Sequence, residues 1–115
     1  MSPHPAGAWA EELAERALRD LGWRLLDRNV RLGGGELDLV FADGRFTVFV
    51  EVRARRSERY GSALASVDAR KARRWRRAAL AYLGSDQRAC RFDVVVVEGP
   101  PGEARLRHLR GVILP

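Results

Sequence analysis

Acidic side chains interrupt two otherwise apolar segments of this chain. Glu36 and Asp38 alternate with leucines, and Glu51 stands among valines two residues before Arg53. Successive side chains of a strand point to opposite faces, so Glu36 shares a face with Asp38, and Glu51 shares one with Arg53. Carboxylates that face one another repel, and a divalent cation between them relieves that repulsion. The pattern therefore predicts a metal site at Asp38 and Glu51.

Oxygen ligands of this kind suit Mg²⁺ or Mn²⁺, and water activated by such an ion can hydrolyse a phosphodiester. The alternative is a solvated acidic face, on which Glu51 and Arg53 form a surface ion pair worth little free energy. Against this alternative, the acidic residues interrupt strongly apolar strands, but the spacing alone leaves both interpretations open.

The turn between the two segments decides which acids meet. The dipeptide Asp43-Gly44 is a hairpin signal. A two-residue loop at residues 43–44 would place Glu36 opposite Glu51, whereas a loop at residues 44–45 would place Asp38 opposite Glu51. Either loop brings the acids to one face of the sheet, while a slip of one residue would send them to opposite faces.

Seven elements are predicted to position these side chains. Hydrophobic periodicity predicts helices over residues 7–21 and 66–83, strands over 23–30, 36–41, 46–54, 92–97 and 105–109, and loops over 31–35 and 55–61. The order α-β-β-β-α-β-β indicates an α/β fold with a mixed sheet flanked by helices. With 115 residues we expect one domain over residues 7–115, preceded by a flexible tail over residues 1–6.

Positive charge is concentrated in one part of the chain. The net charge is +6, yet residues 51–80 alone hold ten basic and three acidic residues. Such a block is typical of a surface that binds a polyanion, most plausibly nucleic acid. The alternative is a solvated basic face, on which Lys71 extends its chain along the surface. The candidate nucleic-acid contacts are Arg55, Arg56, Arg59, Tyr60, Arg70, Lys71, Arg73, Arg74 and Arg77.

Other classes of protein are disfavoured by composition. One cysteine excludes an internal disulfide, and two histidines with it cannot build a four-ligand zinc site. No apolar run approaches the roughly 18 residues of a membrane span, and the N-terminus lacks an apolar signal core. We therefore expect a cytoplasmic protein that does not bind a membrane.

The residues also carry a family resemblance. The chain closely resembles the YraN family of small bacterial proteins, in order over residues 7–113. The matching pattern is Gly7-x3-Glu11, Asn29, Gly35-Glu36-Leu37-Asp38-Leu39, Val48-Phe49-Val50-Glu51-Val52-Arg53-x-Arg55, Gly61, Lys71 and Arg91-Phe92-Asp93-Val94-Val95. This resemblance implies a restriction-endonuclease-like fold with the PD-(D/E)XK nuclease core.

The resemblance also implies roles for individual residues. Asp38 would be the motif aspartate, Glu51 the second acid, and Arg53 would hold the lysine position. The chain is also similar to archaeal Holliday-junction resolvases, which carry an additional acid on the first helix, here Glu11. The alternative for Glu11 is an ordinary acid in the first turn of a helix, where it interacts favourably with the helix dipole. Glu36 is the other candidate to complete the metal shell. Arginine stays charged, so Arg53 could orient water or stabilise charge but could not act as a general base.

Three hypotheses of function follow. The first is a metal-dependent endonuclease acting on nucleic acid, with DNA favoured over RNA. Branched or junction DNA of repair and recombination are the candidate substrates, and the resemblance implies a homodimer. The second is a nucleic-acid-binding module with a degenerate, inactive nuclease site. The third is an adaptor in a repair complex with little nucleic-acid affinity of its own.

Overall fold

A computed structural model describes residues 5–55, 68–85 and 88–114. Its elements, in chain order, are α1 (Pro5–Asp20), β1 (Arg24–Leu32), β2 (Gly35–Asp43), β3 (Phe46–Arg55), α2 (Ala69–Leu83), β4 (Cys90–Glu98) and β5 (Arg105–Leu109). The predicted order and the mixed α/β class are confirmed. Within the described ranges, neither helix is both long and apolar enough to cross a membrane.

The five strands form one sheet in the order β1-β2-β3-β4-β5. All neighbours are antiparallel except β3 and β4, which are parallel and are connected through α2. A parallel connection needs such a crossover, and it places the helix on a face of the sheet. The central strands β3 and β4 are therefore covered on both faces, which explains their nearly continuous apolar sequences.

Each face of the sheet packs against one helix. Ala10, Ala14 and Leu18 of α1 pack with Val48 and Val50 of β3. On the opposite face, Ala72, Trp75, Ala78 and Ala79 of α2 pack with Val40, Phe49 and Val94. Small residues dominate the buried faces of both helices, so each helix lies close to the sheet. Alternate side chains of β3 thus face α1 and α2 in turn.

The β2–β3 hairpin has a predicted loop, whereas the β1–β2 turn is shorter than predicted. Asp43 pairs with Phe46, so the β2–β3 loop is Gly44 and Arg45, the second of the two registers considered above. The loop predicted over residues 31–35 is wrong, because Leu32 pairs with Gly35. Residues 33 and 34 alone make that turn, with φ of 59° and 81°. Two consecutive positive φ angles are typical of the tight hairpin turns whose twist matches the flanking strands.

The predicted loop over residues 55–61 is also partly wrong. Arg55 is the last residue of β3, where it pairs with Glu98 of β4. Pairing with β4 thus extends β3 by one residue beyond residue 54, where the strand was predicted to end. The rest of that loop, and residues 66 and 67 at the predicted start of the second helix, lie outside the described residues.

Glycine at the β1–β2 turn allows the hairpin to touch the backbone of α2. A Cβ atom on Gly35 would overlap the carbonyl oxygen of Arg74, and a Cβ atom on Gly33 would lie 2.9 Å from the carbonyl oxygen of Arg77. Real Cβ atoms do not approach backbone oxygens this closely. The absence of side chains at these two positions therefore sets the distance between α2 and the start of β2.

The buried carboxylate of Asp93 connects several elements of the fold. Asp93 is fully buried in β4, and its oxygens accept hydrogen bonds from Arg91 at 2.9 and 3.1 Å and from the Gly111 amide at 3.0 Å. His108 Nε2 lies 2.8 Å from the same carboxylate. Arg91 also donates to Asp43 at 3.2 Å. These contacts connect β2, β4, β5 and the segment that follows β5.

The close approach at Gly35 gives the first testable prediction. Gly35→Ala should lower the free energy of unfolding by about 1–3 kcal/mol, because the new methyl group must displace helix backbone. Urea denaturation measures this loss. Gly44→Ala is the matched control: nothing lies within 4 Å of the added Cβ, and only its φ of 58° is unfavourable, at a cost of about 1 kcal/mol. Equal losses in the two variants would contradict the steric explanation.

Candidate metal and phosphate site

A cavity of about 770 Å³ lies where β2 and β3 part. The ladder between these strands ends at Leu39 and Val50, although β2 extends back to Gly35 and β3 extends on to Arg55. The resulting gap is lined by residues of both strands, by the first turns of α1 and by the first two turns of α2. The acids predicted from the sequence therefore lie in a concave site.

The alternation of side chains along β2 is interrupted at Asp38. In the β1–β2 ladder, Arg28 pairs with Leu39 and Val30 pairs with Leu37, so Asn29 lies opposite Asp38. Leu39 packs on the α1 face and Leu37 on the α2 face, although two residues of the same parity should share a face. Asn29 has a φ of 50°, a conformation that asparagine tolerates better than most residues. This break in alternation accompanies the departure of Asp38 from the ladder.

The Asp38 carboxylate is held by the neighbouring strand. Its Oδ2 atom accepts a hydrogen bond of 2.9 Å from the amide of Val52. A side chain thus takes the place of a backbone acceptor at the point where the β2–β3 ladder has ended. This bond brings Asp38 beside Glu51, the residue that continues the register opposite it.

Glu51 is the most buried acid of the cavity. It is 5% exposed, and it lies on the α2-facing side of β3. Its Oε2 atom is 2.9 Å from Lys71 Nζ and 3.4 Å from Arg53 Nε. Burying a carboxylate costs free energy unless cations and hydrogen bonds compensate, and here two basic side chains meet one oxygen.

The environment of Asp38 favours its protonated form. Burial, followed by the negative charge of Glu51, raises the pKa of Asp38 from 3.8 to about 8, against the lowering effect of the Val52 amide. The charge of Glu11 and a hydrogen bond with Glu51 raise it further. The raised pKa favours the protonated carboxyl of Asp38 in the metal-free protein, and a cation bound there would displace that proton.

All five predicted catalytic residues line this one cavity. They are Glu11 from α1, Glu36 and Asp38 from β2, and Glu51 and Arg53 from β3. Among the nucleic-acid candidates, Arg70, Lys71 and Arg74 line it as well. Arg55, Arg73 and Arg77 do not, and Arg77 instead lies against the β1–β2 turn. Arg56, Arg59 and Tyr60 lie outside the described residues.

Two cavity residues were missed from the sequence. Arg31 lines the cavity, with its Nε atom 3.9 Å from Glu36 Oε2. The incorrect loop over residues 31–35 concealed it, because in a two-residue hairpin Arg31 pairs directly with Glu36. Asp68 caps α2, and its Oδ1 atom accepts a hydrogen bond of 2.8 Å from the amide of Lys71. An aspartate before a helical segment is the ordinary signal of such a cap.

The donor set fits a partly hydrated divalent ion. Asp38 and Glu51 offer carboxylate oxygens, which Mg²⁺ and Mn²⁺ prefer, and Mg²⁺ commonly keeps several waters beside one or two carboxylates. The ammonium group of Lys71 at 2.9 Å is a cation already accommodated by Glu51. Among the described residues, no group of three or more His, Cys, Asp or Glu residues is arranged to hold a metal. The residues thus fit an open two-carboxylate site.

Comparison with known proteins identifies the relatives of the chain. Residues 10–97 match the model of the "Uncharacterised protein family UPF0102", which is the YraN family. A UPF0102 protein of Frankia alni is 49% identical over 109 residues, covering 91% of each chain. One of Symbiobacterium thermophilum is 49% identical over 108 residues, covering 90% of this chain and 92% of its own. One of Deinococcus radiodurans is 47% identical over 112 residues, covering 91% of each. The predicted resemblance is confirmed.

The raised pKa of Asp38 predicts a pH-dependent effect on stability. In EDTA, Asp38→Asn should raise the free energy of unfolding near pH 8, because the folded wild type has a pKa of about 8 for this group against 3.8 unfolded. As the pH falls toward 4 the unfolded chain also becomes protonated, so the advantage of the variant should disappear. Urea denaturation across this pH range measures the difference.

Asp93→Asn is the control with the opposite sign. Burial alone would raise the pKa of Asp93, but hydrogen bonds from His108, Arg91 and Gly111 hold it below its usual range. Its charge therefore stabilises the fold above the unfolded pKa, and this contribution is lost as the pH falls. The variant should lose about 3–5 kcal/mol at pH 8, and this loss should become smaller only as the pH falls below about 4. Parallel pH profiles for the two variants would contradict the assignment.

Proposed function

The chain belongs to the family described as "Uncharacterised protein family UPF0102". From the geometry of the site we propose that the protein is a metal-dependent endonuclease that hydrolyses DNA, with branched DNA among its substrates. The observation that carries the proposal is the meeting of Asp38 and Glu51 in a cavity that basic side chains also line. A purely structural acid pair would gain nothing from lying in an open cavity. A phosphodiesterase needs a cation site within reach of a phosphate.

The proposed roles follow from the positions of the side chains. Asp38 and Glu51 would hold Mg²⁺ or Mn²⁺, which when bound would activate water and offset negative charge on the phosphate. Glu11 and Glu36 line the same cavity and add acidic groups around the ion. Arg53, whose Nε atom is 3.4 Å from Glu51, would stabilise charge as phosphorus is attacked. Arginine is not a general base, so Arg53 has no role as the acceptor of the proton of the attacking water.

The rim of the cavity suits the backbone of a nucleic acid. Arg31, Arg70 and Arg74 are exposed residues that line it. Guanidinium groups bind phosphate oxygens with two parallel hydrogen bonds, and such contacts position a duplex without reading its sequence. Trp75, although it lines the cavity, is 2% exposed and packs against Phe92. The described rim therefore favours recognition of the backbone over stacking of bases.

A cleavage assay tests the proposal. The purified protein with Mg²⁺ or Mn²⁺ is expected to cut at least one of linear duplex, single-stranded and four-way-junction DNA. Asp38→Asn and Glu51→Gln should each reduce the rate by at least about 100-fold, since each removes a charged metal ligand while keeping its shape. Glu12→Gln, on the exposed face of α1, is the control and should cut like the wild type.

Binding without cutting would favour the second candidate, a nucleic-acid-binding module with an inactive site. The observation in its favour is that Lys71 and Arg53 already occupy Glu51, with arginine at the motif's lysine position. In that case Asp38→Asn and Glu51→Gln should leave DNA affinity unchanged. Cutting that persists in both variants would overturn the assignment of the site.

The rim arginines give a separate prediction for binding. Arg70→Gln and Arg74→Gln should each lower the slope of log affinity against log salt by about 1, because each would remove one phosphate contact. Arg73→Gln is the matched control, because Arg73 is exposed on the same helix but does not line the cavity. Titrations of duplex DNA at several salt concentrations measure the slopes, and equal effects at residues 70, 73 and 74 would argue against a path through the cavity.

A homodimer, which the resemblance implies, is also proposed here. A second copy would present a second cavity, as two cuts in a branched substrate require. Sedimentation of the free protein and of its complex with junction DNA distinguishes the monomer from the dimer.

A further inference from the structure

Lys71 holds an unusual place among the basic residues of this protein. It is the one lysine among 21 basic residues, the rest being arginine. Its Nζ atom lies 2.9 Å from Glu51 Oε2, closer than the Nε atom of Arg53 at 3.4 Å. The basic side chain nearest to the buried acid is therefore the one whose charge is a compact, strongly hydrated point.

The side chain of Lys71 is anchored at its base and accessible at its tip. Its own amide donates to Asp68 at 2.8 Å, which fixes the backbone at the start of α2. The side chain is 39% exposed, whereas that of Glu51 is 6% exposed. Several rotatable bonds separate the fixed backbone from the charge. The ammonium group can therefore leave Glu51 and return to water or to the cavity rim without movement of the helix.

A divalent ion and Lys71 must compete for Glu51. Both are cations, and both require the carboxylate that Lys71 now contacts. Arg53 shares the same oxygen, but its side chain is 27% exposed against 39% for Lys71, so Lys71 has the easier path into solvent. A cation that occupies this position in the ion-free protein must give way when the stronger charge arrives.

We propose that Lys71 is an exchangeable counter-ion: it neutralises Glu51 in the metal-free protein, is released when a divalent cation binds, and then contacts the phosphate of the substrate. This inference rests on the proposed function, since it assumes the ion at Asp38 and Glu51. It adds a coupling between metal binding and substrate binding, because the released ammonium group becomes available in the cavity that Arg70 and Arg74 also line.

The exchange makes a counterintuitive prediction for metal binding. Lys71→Met should bind Mn²⁺ about tenfold more tightly than the wild type, because the ion no longer displaces a competitor. The same variant should bind DNA more weakly when metal is present. Mn²⁺ affinity is measured by electron paramagnetic resonance of the free ion. Lys71→Arg, which keeps the positive charge, should bind Mn²⁺ no more tightly than the wild type.

The control separates exchange at Glu51 from a general effect of charge. Arg74→Met removes a cation that lines the same cavity, and it should tighten Mn²⁺ binding by less than about twofold. Equal tightening in Lys71→Met and Arg74→Met would overturn the exchange. Circular dichroism checks that each variant is folded, and Lys71→Gln is a second neutral variant should the methionine disturb the cavity.

A second measurement observes the release directly. Because the chain has one lysine, selective ¹³C labelling gives one lysine Cε signal, and no assignment is needed. Saturation with diamagnetic Mg²⁺ should move that signal to the position of a freely exposed lysine. In Glu51→Gln the signal should start at that position and should not respond to Mg²⁺.

The outcomes distinguish the two proposals. If the wild type binds Mn²⁺ through Asp38 but Lys71→Met binds no more tightly and the lysine signal stays in place, the exchange is wrong while the metal site stands. If neither the wild type nor Lys71→Met binds Mn²⁺, the proposed function fails at its metal site and the exchange fails with it.

Discussion

The cost of placing two carboxyl groups together in a partly buried space governs this structure. Asp38 and Glu51 meet where two strands of the sheet part, and neither acid can carry its charge there without compensation. The metal-free protein compensates in two ways: a proton on Asp38, and the basic groups of Lys71 and Arg53 on Glu51. In the proposed site a divalent cation would replace the proton, which can leave to solvent, and Lys71, whose flexible side chain can turn away from Glu51. The site is thus arranged so that another cation can enter at moderate cost.

The contrast with Asp93 shows why burial alone does not indicate function. Asp93 is fully shielded from solvent, yet its pKa is lowered, because a guanidinium group, an amide and His108 meet its oxygens. Its donors come from β4, β5 and the segment that follows β5, so its negative charge serves to hold these elements together. Asp38 has one amide donor and an acidic neighbour, and its pKa is raised. An acid that the fold leaves poorly compensated, in an open cavity, is the better candidate for chemistry.

Much of the fold and of the site could be predicted from the sequence, because both follow from periodicity. Alternation in β2 and β3 placed Asp38, Glu51 and Arg53 on one face of the sheet, whereas Glu11 was expected from the family resemblance. What could not be predicted depends on exceptions to periodicity. The register required the choice between two loops of equal length, and Arg31 was hidden by a turn shorter than its glycines suggested.

The same limit applies to Asp38 and Lys71. The positive φ of Asn29 accompanies the break in alternation beside Asp38, and no pattern of residue types in the sequence predicts that break. The ion pair between Lys71 and Glu51 joins elements twenty residues apart in the chain. Its formation depends on how closely α2 approaches the sheet, a distance that side-chain periodicity does not encode.

The close approach of α2 to the β1–β2 turn affects how the cavity can vary among related chains. Where Gly33 and Gly35 meet α2, main chain touches main chain, so the position of this wall of the cavity does not depend on the side chains of the outer surface of the helix. Substitutions on the outer surface of α2 can therefore change the electrostatic potential at the opening of the cavity without changing its width. Related chains could tune their selectivity among polyanions by such surface changes alone, while the scaffold beneath stays the same.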